Sequence, residues 1–320
     1  MTPDIESRDG DFTCGREPLV DAISAFLAHR HAPGLTEIRA SLERAIDAAG
    51  PEGIDSLGKR LARAGADWGY YPRDPLARRI HHVLAGRVLQ HAPMVLGVEH
   101  LAAVAGKPVV IVANHLSYSD ANAIDVLLQQ AGAHALCDRL TVIAGPKVYS
   151  NLNRRFSSLC FGTIKIPQSS TRSSGEAVMS AREVARAARR SIQIAHERLG
   201  LGEALLLFPE GARSRTGRMQ PLLTGVSRYL EAPHTWVVPM GITGTERLFP
   251  IGEDALNPVP IALRIGQPMS AKVLEEQSEG DRRLMMDAIG VAIANLLPPE
   301  YRGTYESCGP RQETTDDTEP

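Results

Sequence analysis

Two hydrophobic periodicities divide this chain. Through the first ninety or so residues, apolar side chains recur every three or four positions. Leu19, Ile23, Phe26 and Leu27 form one stripe, and Leu35, Ile38, Leu42, Ile46 and Ala49 a second. Ile54, Leu57 and Leu61 make a third, and Leu76, Ile80, Val83, Leu84 and Val88 a fourth. Such spacing lines up one face of a helix, so it predicts four amphipathic helices. They are punctuated at Gly34, Gly50-Pro51, Gly53 and Tyr71-Pro72. Short connections predict a small helical bundle over residues 1–92, with the alternative that its fourth helix belongs to the unit that follows.

From about Pro93 the pattern changes. Short apolar runs at 109–113, 140–144, 163–166, 204–208, 236–242 and 261–265 alternate with helical stretches at 121–130, 175–199, 222–230 and 281–296. Several of the runs are continuous rather than alternating, as expected of strands covered by helices on both faces. The prediction is an α/β unit with a largely parallel sheet over residues 93–305. Residues 306–320 are polar and acidic with almost no apolar content, which predicts a disordered tail.

Composition narrows the classes. The 320 residues are 43% hydrophobic and 22% charged, an ordinary globular balance, and the net charge of -2 gives no footprint for nucleic-acid binding. Cys14, Cys137, Cys160 and Cys308 are scattered, with no CxxC pair and no histidine at metal-ligand spacing. No metal is therefore expected, and reduced thiols in a cytoplasmic protein are the expectation, with a disulfide left as the alternative. The polar, acidic start does not read as a signal peptide, and no apolar run reaches the ~18 residues of a membrane span. The expected location is cytoplasmic, either in solution or peripheral on the inner membrane face.

Two loops carry chemistry. Asn114-His115-Leu116-Ser117-Tyr118-Ser119-Asp120 follows the first apolar run, and His115 is the only one of ten histidines with an aspartate five residues on. Five residues along a helix would separate the two side chains, so they meet only if the segment turns between a strand and a helix. Strand C-terminal ends are where α/β sheets place their sites. Neutral imidazole can deprotonate an alcohol near neutral pH, and a carboxylate on its other nitrogen fixes the tautomer. Ser117-x-x-Asp120 also reads as a capping box that would start a helix without catalysis. The second loop runs from Phe208 through Pro209, Glu210, Gly211, Ala212, Arg213, Ser214, Arg215, Thr216 and Gly217 to Arg218. Gly211 permits a backbone turn whose free N–H groups cradle an anion, and Arg213, Arg215 and Arg218 offer forks for phosphate oxygens. The competing readings are a solvated basic loop, above all for Arg218, and a simple ion pair between Arg213 and Glu210. With no GxSxG and no cysteine beside a histidine, direct transfer is expected rather than an acyl-enzyme.

Taken together, these residues resemble the glycerolipid acyltransferase superfamily. Its NHxSxxD block is matched by Asn114, His115, Ser117 and Asp120, and its FPEGxRSRxG block by Phe208 to Gly211, Arg213, Ser214, Arg215 and Gly217. An apolar VPxxI block is matched by Val238, Pro239 and Ile242. The resemblance implies that His115 is the general base and Asp120 its partner, with Glu210, Gly211 and Arg213 binding a phosphorylated acceptor. The block that usually supplies a further arginine departs: Gln168 stands at that position, with Lys165 inward of it and Arg172 beyond. Lys165 and Lys147, each near a strand end, are added as acceptor-binding candidates. Arg215 joins them from the second loop.

The resemblance further implies an acyl thioester donor, from coenzyme A or acyl carrier protein, as co-substrate and no separate cofactor. The helical N-terminus resembles that of the superfamily's soluble glycerol-3-phosphate enzymes, so glycerol 3-phosphate is the expected acceptor, with lysophosphatidate or another lysolipid as the alternative. A lipid- or carrier-binding protein without activity and a thioesterase are the other classes. Basic faces at Arg182, Arg186, Arg189 and Arg190, and at Arg78, Arg79 and Arg87 with His81 and His82, suggest a membrane surface or an acidic carrier, or else simply face water.

Overall fold

The structure, a computed structural model, describes residues 15–29, 34–89, 93–150, 152–167, 179–248, 257 and 259–308. Among the described residues nine strands form one mixed sheet: β1 (Tyr70–Tyr71), β2 (Met94–Leu96), β3 (Val109–Ala113), β4 (Leu140–Ala144), β5 (Gly162–Lys165), β6 (Ala204–Leu207), β7 (Trp236–Thr243), β8 (Ala262–Ile265) and β9 (Met269–Ser270). The order is β1-β5-β4-β6-β3-β7-β8-β2, with β9 beside β7. The helices are α1 (Arg16–His29), α2 (Leu35–Asp47), α3 (Gly50–Arg63), α4 (Pro75–Val88), α5 (Asp120–Gln130), α6 (His134–Cys137), α7 (Leu152–Ser158), α8 (Ala181–Gly200), α9 (Thr245–Leu248), α10 (Ala271–Gln277), α11 (Arg282–Ala294) and α12 (Pro299–Arg302).

The continuous apolar strands are explained by what covers them. Every residue of β3 is buried. Because side chains alternate across a strand, Val109, Ile111 and Ala113 face one layer and Val110 and Val112 the other. The first layer holds Leu42, Leu57, Leu76, Ile80, Ile124 and Leu127 from α2 to α5. The second holds Ile194 and Leu199 of α8 with Ile289 and Ile293 of α11. The molecule is thus an α/β fold, a sheet between two helical layers, with helices at its N-terminus. Burying each such Leu, Ile or Val contributes roughly 1.5–3 kcal/mol.

Direction matters most for the site. β3 pairs in parallel with β6 and β7, and β4 in parallel with β5 and β6. These five strands therefore end along one sheet edge, and that edge carries His115, Lys147, Lys165, the loop from Phe208, and Thr245.

Differences from expectation are local. β1, β2 and β9 have two or three residues each, too short to leave a periodic signal. The predicted helix over 222–230 is a 3-10 helix, Thr224–Leu230. α8 starts at Ala181 behind a capping box from Ser180 and Glu183; residues 175–178, Gln168 and Arg172 lie outside the described residues. Its buried stripe is Ala187, Ser191, Ile194, Ala195 and Leu199, whereas Ala181 and Ala185, expected to be apolar-facing, are exposed. Alanine carries too little apolar surface to fix a helix's rotation, and Ser191 is accommodated by bonds to the Ala188 carbonyl and the Tyr229 hydroxyl. Residues Gly303–Cys308 form a 3-10 turn, with Glu306 paired to Arg218; residues 309–320 lie outside the described residues. Among the described residues no helix is long and apolar enough to cross a membrane.

Candidate active site

The segment after β3 turns as the His–Asp spacing requires. His115 Nδ1 lies 2.8 Å from Asp120 Oδ2, and Asp120 opens α5. The same oxygen accepts the Leu116 and Ser117 backbone N–H groups at 2.7 and 2.9 Å, while Oδ1 accepts the Thr245 hydroxyl at 2.6 Å. Four donors surround a fully buried carboxylate, which keeps it an acceptor. The imidazole proton therefore sits on Nδ1, and the Nε2 lone pair is the basic one. The capping-box reading is only half realised. Asp120 accepts the Ser117 N–H, but Ser119 is the N-cap and the Ser117 hydroxyl bonds Ser119.

The neighbouring residues hold this loop to the sheet. The Asn114 side chain bonds the Ile242 carbonyl and accepts the Ile242 N–H, at 2.9 and 2.8 Å, extending the β3–β7 ladder by one side-chain rung. The His115 carbonyl accepts the Ser214 N–H at 2.7 Å, and its ring stacks on Phe208 with centroids 4.3 Å apart. Glu210 joins the two loops directly. Its Oε1 accepts the His115 N–H and its Oε2 the Gln220 N–H, both at 2.8 Å. Glu210 is buried, and burial pushes its carboxyl up to about 7 against the opposing N–H bonds from Gln220 and His115. Gly211 has the positive φ (71°) that only glycine adopts readily. Its N–H, expected to be free for an anion, instead closes the turn on the Phe208 carbonyl at 3.0 Å.

At Leu116, the residue after His115, opens a cleft of ≈ 640 Å³ whose walls also include Arg213, Arg215, Arg247, Glu246 and Tyr301 but not His115 itself. Arg213 lies over the Tyr118 ring at 4.7 Å, and Arg154 over the same ring at 4.4 Å. Arg218 pairs with Glu306 at the surface. Arg247 and Tyr301 were not legible as site residues, because they come from segments without a motif. Tyr301 donates to Glu246 at 2.7 Å, and burial and that carboxylate push the phenol up to about 12.

The two lysines stand apart from this cleft. Lys147 is half-buried in the 3-10 turn Pro146–Tyr149 after β4. Lys165, at the end of β5, donates to the Gly65 carbonyl at 2.7 Å and lies 4.4 Å over the Trp68 ring. It lines a second cleft with Arg155 and Tyr149. β5 is three strands from β3, so about 14 Å separates them at the usual spacing of about 4.8 Å.

Only part of the basic face of α4 turns inward: Arg79 is exposed and the Arg87 side chain lies outside what is described, but Arg78, His81 and His82 meet a buried carboxylate. Arg78 Nη1 is 3.1 Å from Asp125 Oδ1 on α5, and His82 Nε2 is 2.9 Å from Oδ2. His81 Nε2 is 3.6 Å from that oxygen, buried and without a hydrogen-bond partner. Burial alone would raise the Asp125 carboxyl, but both imidazoles and the guanidinium hold it well below the usual carboxylate range. A dication among these three side chains would meet the fixed charge of Arg78. Cys137 and Cys160 are free and buried, and burial pushes both thiols up. On α8, Arg182, Arg186, Arg189 and Arg190 are all exposed.

Residues 93–243 match the family model described as Acyltransferase. A 1-acyl-sn-glycerol-3-phosphate acyltransferase from Limnanthes douglasii is 37% identical over 67 residues, which is 21% of this chain and 24% of that protein. One from Cocos nucifera is 32% identical over 74 residues, 23% and 24% of the two chains. One from Chlamydomonas reinhardtii is 28% identical over 123 residues, 38% and 35%. The chain thus spans about a quarter to a third of the length of these curated relatives. The crystal structure of the lysophosphatidate acyltransferase PlsC from Thermotoga maritima aligns over 86% of this chain and 95% of its own, at 19% identity and a TM-score of 0.47. The match to the acyltransferase family model takes in both loops, and over residues 93–243 the chain is similar to that family.

Proposed function

We propose that the protein is an O-acyltransferase that moves a fatty acyl group from a thioester to the free hydroxyl of a 1-acylglycerol 3-phosphate. The observation that carries the reaction is the His115 Nδ1–Asp120 bond, one residue from a cleft walled by Leu116, Arg213 and Arg215. Nε2 takes the proton of the acceptor hydroxyl as its oxygen attacks the thioester carbon. The tetrahedral adduct then collapses, the C–S bond breaks, and the imidazolium returns the proton to the departing thiolate. Asp120 holds the tautomer and offsets the charge that forms on the ring. Arg213 and Arg215 face the acceptor phosphate as guanidinium forks. Glu210 acts by holding both loops, and Gly211 by turning the second. Lys147 and Lys165, further along the edge, are candidates for the remainder of the acceptor or for the donor's phosphates.

The acceptor departs from the first expectation. The helical N-terminus pointed to glycerol 3-phosphate, whereas the curated relatives carry the name of lysophosphatidate enzymes, which favours the lysolipid. Coenzyme A and acyl carrier protein both remain compatible as the thiol of the donor, and the exposed arginines of α8 suit an acidic carrier or an anionic membrane surface.

The test supplies purified protein with labelled acyl-CoA or acyl carrier protein and either acceptor. Phosphatidate from the lysolipid is the expected product. Product only from glycerol 3-phosphate would overturn the acceptor, and thioester hydrolysis with no transfer would overturn the reaction. Arg213→Ala is expected to raise the acceptor KM about tenfold, the equivalent of one charged hydrogen bond, with little change for the donor.

A further inference from the structure

The Asp120 carboxylate has a partner that lies outside every recognised block. Its Oδ2 is held by three donors from a single short loop: His115 Nδ1, and the Leu116 and Ser117 N–H groups. Those donors move with the loop and engage one oxygen. The other oxygen is held from across the sheet edge by Thr245 Oγ1, at 2.6 Å and 125 residues away in sequence. A carboxylate fixed at one oxygen can still rotate about its terminal torsion, which is broad for an sp³–sp² bond. Fixed at both, it cannot.

The local backbone is built to deliver that hydroxyl. β7 ends at Thr243, and the chain turns at Gly244 with φ 96°. A Cβ at Gly244 would stand 2.3 Å from the Pro260 carbonyl oxygen, so only glycine makes this turn. The Gly244 N–H donates to Glu246 Oε2 at 3.1 Å, which closes the turn further. Thr245 then opens α9 fully buried, where an unmade hydroxyl bond would be costly.

We infer that Thr245 is a positioning residue for the His115–Asp120 pair: it locks the Asp120 carboxylate so that Oδ2 stays on Nδ1 and Nε2 stays the basic nitrogen. The inference deepens the acyl-transfer reading, and its kinetic arm rests on that reading. A structural arm does not.

The experiment compares Thr245→Ser, Thr245→Val and Thr245→Ala with the native protein, each checked for folding by thermal unfolding. Serine and alanine both lack the methyl group, so their difference isolates the hydroxyl if the valine protein fails to fold. The first readout is the downfield proton resonance of the carboxylate-bonded His115 Nδ1–H in the substrate-free, 15N-labelled protein. It should be sharp in the native and serine proteins and lost to exchange in the valine and alanine proteins. The second readout is kcat, expected to fall about ten- to a hundredfold without the hydroxyl, with the acceptor KM unchanged and recovery in serine. An unchanged resonance and kcat in a folded variant without the hydroxyl would overturn the inference. If no acceptor is acylated by the native protein, the acyl-transfer reading fails while the resonance still decides the role of Thr245.

Discussion

At the scale of single residues, the site depends on carboxylates that face inward. Asp120 and Glu210 are both buried, and each accepts backbone N–H groups of the loop that carries His115. Glu210 must accept from His115 and from Gln220 at once. In Glu210→Gln the amide offers one acceptor oxygen, so one N–H loses its partner. The expected outcome is a loss of about 1–3 kcal/mol in urea unfolding near pH 5, together with a lower kcat. The native carboxyl also carries a pH signature. Its folded pKa of about 7 is above the ordinary 4.5, so its contribution is fully present below 4.5 and is lost as pH rises through about 7. The native protein should lose up to roughly 3 kcal/mol relative to Glu210→Gln across that window. Parallel pH profiles for the two proteins would contradict this. The sequence made His115, Asp120 and the arginine loop legible, because their spacing is local. It hid the inward duty of Glu210, the closed Gly211 N–H, and Thr245, since a threonine 125 residues away carries no sign of its partner.

At the scale of elements, strand direction places the chemistry and α4 braces it. The interior strands were legible from their apolar runs, because both faces are buried and alternation disappears. The inward turn of α4 was not, because Arg78, His81 and His82 look like a solvated face until Asp125 is placed opposite them. That contact ties α4 to α5, the helix that begins with Asp120. His81 is buried and its pKa is lowered by that burial. The sign follows: the neutral ring stabilises the fold above the ordinary 6.5, and stability falls as pH drops below it. His82 and Arg78 also contact Asp125, Arg78 pairs in turn with Asp138, and Asp125 itself is protonated only at much lower pH. Because His81 makes no close hydrogen bond through Nε2, His81→Phe gives up only the 3.6 Å contact with Asp125 and the 3.5 Å contact of Nδ1 with Asn122, and should fold. It should narrow the drop in urea midpoint between about pH 7.5 and about 5.5. An unaltered drop would assign the acid sensitivity elsewhere.

At the scale of the whole molecule, one apolar cluster runs from Leu42 and Leu57 of the N-terminal helices to Val109 and Ile111 of the central strand. The sequence showed four helical stripes and then a strand pattern, but it could not show that α4 packs on both α2 and α5. Such a shared core predicts a single cooperative unfolding transition. The chain's two tryptophans allow a direct check, since Trp68 follows α3 and Trp236 begins β7. Single-tryptophan proteins made by Trp68→Phe or Trp236→Phe should give coincident urea midpoints. Midpoints that separate would contradict a shared core.

The central claim is that His115, oriented by Asp120, is the base for acyl transfer. It is tested most directly by the steady-state kinetics of His115→Ala with labelled acyl thioester and 1-acylglycerol 3-phosphate, in a protein whose thermal unfolding matches the native one. The account predicts that kcat falls by about 10²–10⁴-fold, the usual contribution of a general base. A kcat within a few-fold of the native value would contradict it.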